Sequence, residues 1–224
     1  LVTSNPSADY VARVSSVFAD NGAGERGDLK AVIRAILTDP DVSASSRIRE
    51  PFRRFIAVNR ALNASPMEGS DIGVTGFFVQ NATGQMVLSA PSVFNFYSPF
   101  YRPQGGQGQI SPEMQIITED SVVGFINLMV QVLYTDTPMH NHSELAEMRL
   151  DLSELELLVG DTQTFLLQIE RLFFAGTMSA HTHEVLVTAL EEVAGLSAQE
   201  RVKLLLYLAL TSPDQAISER NALR

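Results

Sequence analysis

Hydrophobic side chains recur at helical spacing along most of the chain, in stretches separated by glycine, proline and capping residues. A repeat of three or four residues is the period of one face of an α-helix. The pattern predicts about seven helices and a further short helical turn near residues 153–159. We place the seven near residues 10–18, 29–37, 51–62, 122–133, 162–173, 180–193 and 198–210. The fold class is therefore all-α, an irregular helical bundle forming one domain over residues 1–224.

Polar residues that cap helix N-termini support these boundaries. Asp28 and Asp161 stand directly before two of the apolar repeats, and Ser197 with Glu200 forms a capping box before the last one. The first three helices are joined by short connections, which favours a layer of antiparallel helices.

The helical period disappears between residues 63 and 112, where the chain has seven glycines and five prolines. These residues oppose a long helix. A connection of this length is uncommon in a compact domain unless its own side chains order it. We therefore predict one long, ordered loop rich in aromatic, proline and glycine residues, with short strand pieces near residues 76–80 and 85–88.

Residues 90–105 combine five aromatic residues with three prolines. Aromatic faces beside polar groups suit the binding of a sugar or an extended peptide. Asn95, Tyr97, Tyr101 and Arg102 are the candidate ligand-binding residues, because they offer stacking surfaces and directional hydrogen bonds.

The same block is open to a structural interpretation. Phe94, Phe96 and Tyr97 would then fill gaps between helices as a clasp, with Asn95 bonded to buried backbone. Apolar side chains in loops usually serve packing in this way, and the two interpretations do not exclude each other.

Five segments of the chain have distinctive motifs. The most distinctive is S-A-P-S-V-F-N-F-Y-S-P-F-Y-R-P-Q-G at residues 89–105. The others are G-D-L-K-A-V-I-R-A-I-L-T-D-P at 27–40, R-E-P-F-R-R at 49–54, S-P-E-M-Q-I-I-T at 111–118 and L-Y-L-A-L-T-S-P at 206–213. Together these segments resemble the C-terminal half of a bacterial family known as "domain of unknown function, number 1800".

The resemblance implies that the chain is a fragment or a processed C-terminal half of a longer protein. It also implies a periplasmic, secreted or cell-surface location. It implies no established reaction and supplies no catalytic residues.

The composition excludes several classes of partner. The net charge of −10 opposes binding to nucleic acid and to anionic membrane surfaces. The apolar stretches are too short to form a transmembrane segment. Without cysteine there is no disulfide, thiolate metal site or cysteine nucleophile.

Two histidine pairs could bind a divalent metal together with a nearby glutamate, but their spacing favours solvated side chains. These residues are His140 and His142 with Glu144, and His181 and His183 with Glu184. We expect no metal site and no cofactor.

Four arginines at 49, 53, 54 and 60 form a basic cluster in an acidic chain. The cluster indicates either ion pairing with neighbouring helices or a site for an anion or a docking partner.

With no convergent catalytic set visible, an enzyme is the less favoured class. We expect an exported structural or interaction module that docks through apolar helical surface to a protein partner or to its own N-terminal half, with oligomers as a further possibility. The alternative is an enzyme or ligand-binding domain whose pocket is walled by residues 90–105.

Overall fold

The computed structural model describes residues 2–43, 46–66, 76–134, 148–176 and 178–219. This part of the chain is mostly helical, and the all-α expectation is confirmed. Its α-helices are α1 (Ala8–Ala19), α2 (Leu29–Thr38), α3 (Pro40–Ser43), α4 (Pro51–Ala61), α5 (Gly76–Thr83), α6 (Glu119–Leu133), α7 (Ser153–Leu158), α8 (Thr162–Ile169), α9 (Ala180–Glu192) and α10 (Ala198–Thr211). A π-helical turn, Glu170–Phe174, extends α8, and two 3-10 turns span Pro112–Ile116 and Asp214–Ala216.

The helices begin where the capping residues predict. The Asp28 side chain accepts bonds from the backbone N–H groups of the first turn of α2, and Asp161 does the same for α8. Ser197 and Glu200 form the reciprocal capping box of α10. These bonds satisfy donors that have no partner inside the helix.

The main hydrophobic core forms around α6 and α10, which pack against each other. Helices α4, α5, α7, α8 and α9 contribute further buried side chains. The largest that are almost fully buried include Phe55, Phe165, Phe173, Phe174 and Met129.

Helices α1 and α2 form a separate hairpin with its own small cluster of Val2, Tyr10 and Val42. Helix α4 instead contributes Phe55 and Val58 to the main core. The predicted antiparallel layer of the first three helices is therefore wrong. The first three predicted helices are close in sequence, but the apolar face of α4 packs against later helices in the main core.

In the described part of the chain, two short antiparallel strand pairs join segments that are distant in sequence. β1 (Ser46–Ile48) pairs with β4 (Ile217–Glu219), and β2 (Ser65–Pro66) pairs with β3 (Met148–Arg149). Among the described helices, none has both the length and the apolar character needed to cross a bilayer.

The segment predicted as a loop over residues 63–112 contains α5 and the short strand β2. Strand pieces near residues 76–80 and 85–88 are wrong, because the first stretch is helical and the second is a turn. Residues 84–111 have neither helix nor strand and carry the aromatic block. We call this stretch the aromatic loop.

Candidate functional site

The aromatic loop is held to the helical core by hydrogen bonds to Glu50, the residue before α4. The hydroxyl of Tyr97 donates to Glu50 Oε1 at 3.1 Å, and Gln85 Nε2 donates to Glu50 Oε2 at 2.6 Å. Gln85 Oε1 in turn accepts from the Phe52 backbone N–H at 3.1 Å. One carboxylate therefore ties two points of the loop to the start of a core helix.

Further bonds fix the base of the loop. The Ser98 N–H donates to Gln115 Oε1 at 2.6 Å, and the Ser111 N–H donates to the Tyr101 carbonyl at 2.9 Å. The Asn5 side chain exchanges two bonds of 2.8 Å with the backbone of Ile110. The loop is thus ordered by polar contacts at its flanks.

Several of its large apolar side chains, in contrast, face solvent. Phe94 is 65% exposed, Phe100 is 75% exposed and Val93 is 96% exposed, while Leu88 is fully exposed. The clasp interpretation is therefore wrong for Phe94, which fills no gap between helices. The loop does brace the fold, but it does so through the polar bonds of Tyr97 and its neighbours.

A cavity of about 400 Å³ lies against the middle of the loop. Its wall is formed by loop side chains together with one residue of the following 3-10 turn. Its lining residues include Phe94, Asn95, Phe96, Tyr97, Phe100 and Gln115.

The four predicted binding residues do not all meet at this cavity. Asn95 and Tyr97 line it, whereas Tyr101 and Arg102 are not among its lining residues. Asn95 is exposed and has a φ of 72°, a left-handed conformation that asparagine tolerates better than most residues. Arg102 is exposed and donates to the Gly108 carbonyl, so its guanidinium closes its own turn.

Tyr97 is the titratable group at the centre of the site. Its burial, together with the negative charge of Glu50, raises the pKa of Tyr97 to about 12. A phenol with this pKa is neutral at physiological pH and is a poor general acid or base there. Glu50 accepts a bond at each oxygen, so Tyr97 and Glu50 together hold the loop in place.

Sequence reasoning missed Glu50, Gln85 and Gln115 as the residues that position the loop. Glu50 stands in the R-E-P-F-R-R segment and directly precedes Pro51, the first residue of a predicted helix. That position was a usable signal, since acidic residues at helix starts are well placed to accept hydrogen bonds. Nothing in the sequence links Gln115 to Ser98.

The histidine pairs give no metal centre within the described structure. His181 and His183 are exposed on α9, where residues two apart do not face each other. His140, His142 and Glu144 lie outside the described residues. In the part of the chain that is described, no three His, Cys, Asp or Glu side chains group closely enough to hold a metal ion.

Comparison with known proteins places the chain in a family. Residues 1–217 match the family described as "Protein of unknown function (DUF1800)", and the chain belongs to it. No curated protein and no solved structure matches the chain. The family description names no reaction, ligand or partner.

Proposed function

We propose, taking membership of this family as the premise, that the protein is a non-enzymatic interaction module. Its aromatic loop docks to a protein partner. The observation that carries the proposal is the exposure of Phe94 and Phe100 on a loop that hydrogen bonds hold in place.

An exposed aromatic side chain on an ordered loop is well suited to binding. Phenylalanine offers a large apolar surface and loses little rotamer freedom when it is covered. The anchoring bonds of Tyr97 and Ser98 fix the loop before a partner arrives, which reduces the entropic cost of association. Phe94 and Phe100 also line one cavity, so they can act on the same partner segment.

The occupant we favour is an apolar protein segment rather than a sugar. A sugar needs several free hydrogen-bonding groups around its hydroxyls. Most polar side chains at the cavity are already bonded inside the protein. Ser92 Oγ donates to the Asn95 carbonyl, Ser98 Oγ accepts from the Phe100 N–H, and Gln115 Oε1 accepts from Ser98. The remaining surface is dominated by aromatic rings and proline.

Helix α2 supplies further exposed apolar surface of the kind we expected on the helices. Leu29, Ile33 and Leu37 follow one another at four-residue intervals and all are exposed. A helix stripe of this kind usually packs against another surface. We include it in the proposal as a second docking face. An N-terminal half of the same polypeptide is an alternative occupant for it.

Export to the periplasm, the medium or the cell surface is part of the proposal and derives from the family resemblance. Fractionation of the source cells with an antibody to the protein tests it. Recovery in the cytoplasmic fraction alone would refute this part.

A second candidate function is a small-ligand site in the cavity beside the loop. The observation that favours it is that Asn95 and Tyr97 both line a space of about 400 Å³, within the size range of small-molecule sites. Tyr101 and Arg102 would then act from outside the cavity wall. A small molecule that co-purifies and is lost in Asn95→Ala would support this function over docking.

The docking proposal is tested by identifying the native partner and measuring its affinity for loop variants. Replacing Phe94 and Phe100 together by serine removes two exposed rings and no core contact. We expect the pair to contribute about 2 kcal/mol, so that the partner's Kd rises roughly thirtyfold.

Leu157→Ser is the matched control, since Leu157 is 87% exposed on α7 and lies outside the loop. The control is expected to bind as the wild type does. A partner that binds the Phe94/Phe100 variant with unchanged affinity would contradict docking through the loop.

A further inference from the structure

A second cavity, of about 340 Å³, lies near the N-terminal end of α4, where several elements meet. The small strand pair β2–β3 lies beyond the other end of α4. Its walls come from β1, the N-terminal half of α4, the 3-10 turn before α6, the first half of α6, and the segment that follows α10. Most lining side chains are apolar, including Ile48, Met114, Ile117, Phe125, Ile126 and Ile217.

Arg54 is the one cationic side chain among the described residues that line this cavity. Its Nε donates to Gln215 Oε1 and its Nη2 donates to the Leu210 carbonyl at 2.8 Å. The guanidinium carbon also lies 4.0 Å from the centre of the Phe125 ring. All three partners are neutral.

No ion pair in the described part of the structure includes Arg54. Burial, and after it the positive charge of Arg49, lowers the pKa of Arg54 to about 10. The side chain therefore stays charged at neutral pH while it is partly removed from water. A charge in such surroundings gains from an anionic partner.

Gln215 positions the guanidinium of Arg54 but is not among the residues that line the cavity. The residue is fully buried, and its Nε2 has no partner within the described structure. The orientation of the amide is set by Arg54, because the opposite orientation would point two donors at each other. Gln215 therefore holds Arg54 as a neutral partner and does not balance its positive charge.

The other polar side chains at the cavity are hydroxyl groups that already donate hydrogen bonds to backbone carbonyls. Ser121 donates to the Ile116 carbonyl, Thr211 to the Tyr207 carbonyl and Ser212 to the Ala209 carbonyl. The guanidinium N–H groups of Arg54 that Gln215 and Leu210 leave free suffice for a single carboxylate. A phosphate, with three oxygens and up to two charges, would need more donors.

We propose that this cavity binds a small monocarboxylate with an apolar body. Its carboxylate would accept hydrogen bonds from the free guanidinium N–H groups of Arg54, and its apolar part would lie against the Ile and Phe side chains of the wall. Arg54 has a structural task as well, since its bond to Leu210 satisfies a carbonyl at the C-terminal end of α10. The inference is independent of docking through the aromatic loop.

The test compares hexanoate with 1-hexanol, which has the same tail without the charge, on the full chain. Titrations are followed by ¹H–¹⁵N NMR at neutral pH. We expect hexanoate to give saturable shifts at the Arg54 Nε–H and at amides lining the cavity, with at least tenfold weaker binding of hexanol. Equal binding of the two, or no saturation by hexanoate, would overturn the proposal without any variant.

Variants then identify the groups responsible. Gln215→Glu keeps the size of the side chain but gives Arg54 a permanent carboxylate, so hexanoate affinity is expected to fall at least tenfold. Arg53→Gln is the control, because Arg53 is exposed on α4 and the change removes one positive charge away from the cavity. A Gln215→Glu protein that melts as the wild type does and binds hexanoate equally well would also overturn the proposal.

Discussion

Tyr97 connects the aromatic loop to the core through one hydrogen bond to a charged acceptor, Glu50. A bond of this kind contributes more than one between neutral groups. The pKa of Tyr97 in the folded protein, about 12, lies above its ordinary value of 10.0 because burial and Glu50 both disfavour the phenolate. The stability contribution of Tyr97 is therefore complete below pH 10 and is lost as the pH rises towards 12.

Replacing Tyr97 by phenylalanine tests this assignment. The free energy of unfolding at pH 8 is expected to fall by about 1 kcal/mol, because Glu50 loses a donor. The difference in absorbance near 295 nm between wild type and variant, followed against pH, should show one tyrosine that titrates at about 12. A difference curve centred at 10 would mean that Tyr97 is solvated and does not contact Glu50.

At the residue scale, the sequence predicted the loop but not which contacts each of its side chains makes. It placed Asn95 and Tyr97 at a binding surface, and both line the cavity. It did not foresee that Arg102 would bond to Gly108. That contact depends on two consecutive turns, at residues 103–106 and 106–109, whose combined geometry no local pattern specifies. It left open whether Phe94 packs between helices or lies at a binding surface, since hydrophobicity alone does not distinguish a buried ring from an exposed one.

Helices α5 and α6 approach each other closely at Gly124. A Cβ at this position would lie 2.6 Å from the Ala82 carbonyl oxygen and 2.9 Å from the Ala82 Cα. Only glycine leaves room for this contact, which places Val79 and Ala82 of α5 in the main core.

Gly124→Ala is expected to destabilise the protein by about 1–3 kcal/mol. Alanine gains about 1 kcal/mol of helix propensity, but the clash with the Ala82 backbone forces the helices apart at a larger cost. Urea unfolding provides the measurement. Gly160→Ala is the control, because a Cβ added at Gly160 would meet no atom within 4 Å and little change is expected. A variant at 124 as stable as the wild type would show that the helices are not in close contact.

Helix boundaries were predictable where caps and apolar period agreed, as at Asp28, Asp161 and Ser197. Helix α5 was not. Its sequence begins with glycine and contains phenylalanine and valine, which have weak helix propensity. Its packing against α6 supplies the stability that the local sequence lacks, and that contact is invisible along the chain.

At the scale of the whole molecule, one large core and one small cluster hold together the described part of the chain. The aromatic loop lies outside both, since it joins the core by hydrogen bonds and leaves the rings of Phe94 and Phe100 in solvent. Burying these rings would gain free energy only if a partner covered them. The polar anchors therefore give the loop its order, and its apolar side chains are the groups that we propose bind a partner.

Hydroxyl-radical footprinting with mass spectrometry tests most directly whether a partner covers the apolar side chains of the loop. The measurement compares the purified chain with the protein isolated from its source under mild conditions. We predict that Phe94 and Phe100 react strongly in the purified chain and lose most of that reactivity in the native preparation, whereas Leu157 reacts equally in both. Equal reactivity of Phe94 and Phe100 in the two preparations, or protection already in the purified chain, would contradict docking through the loop.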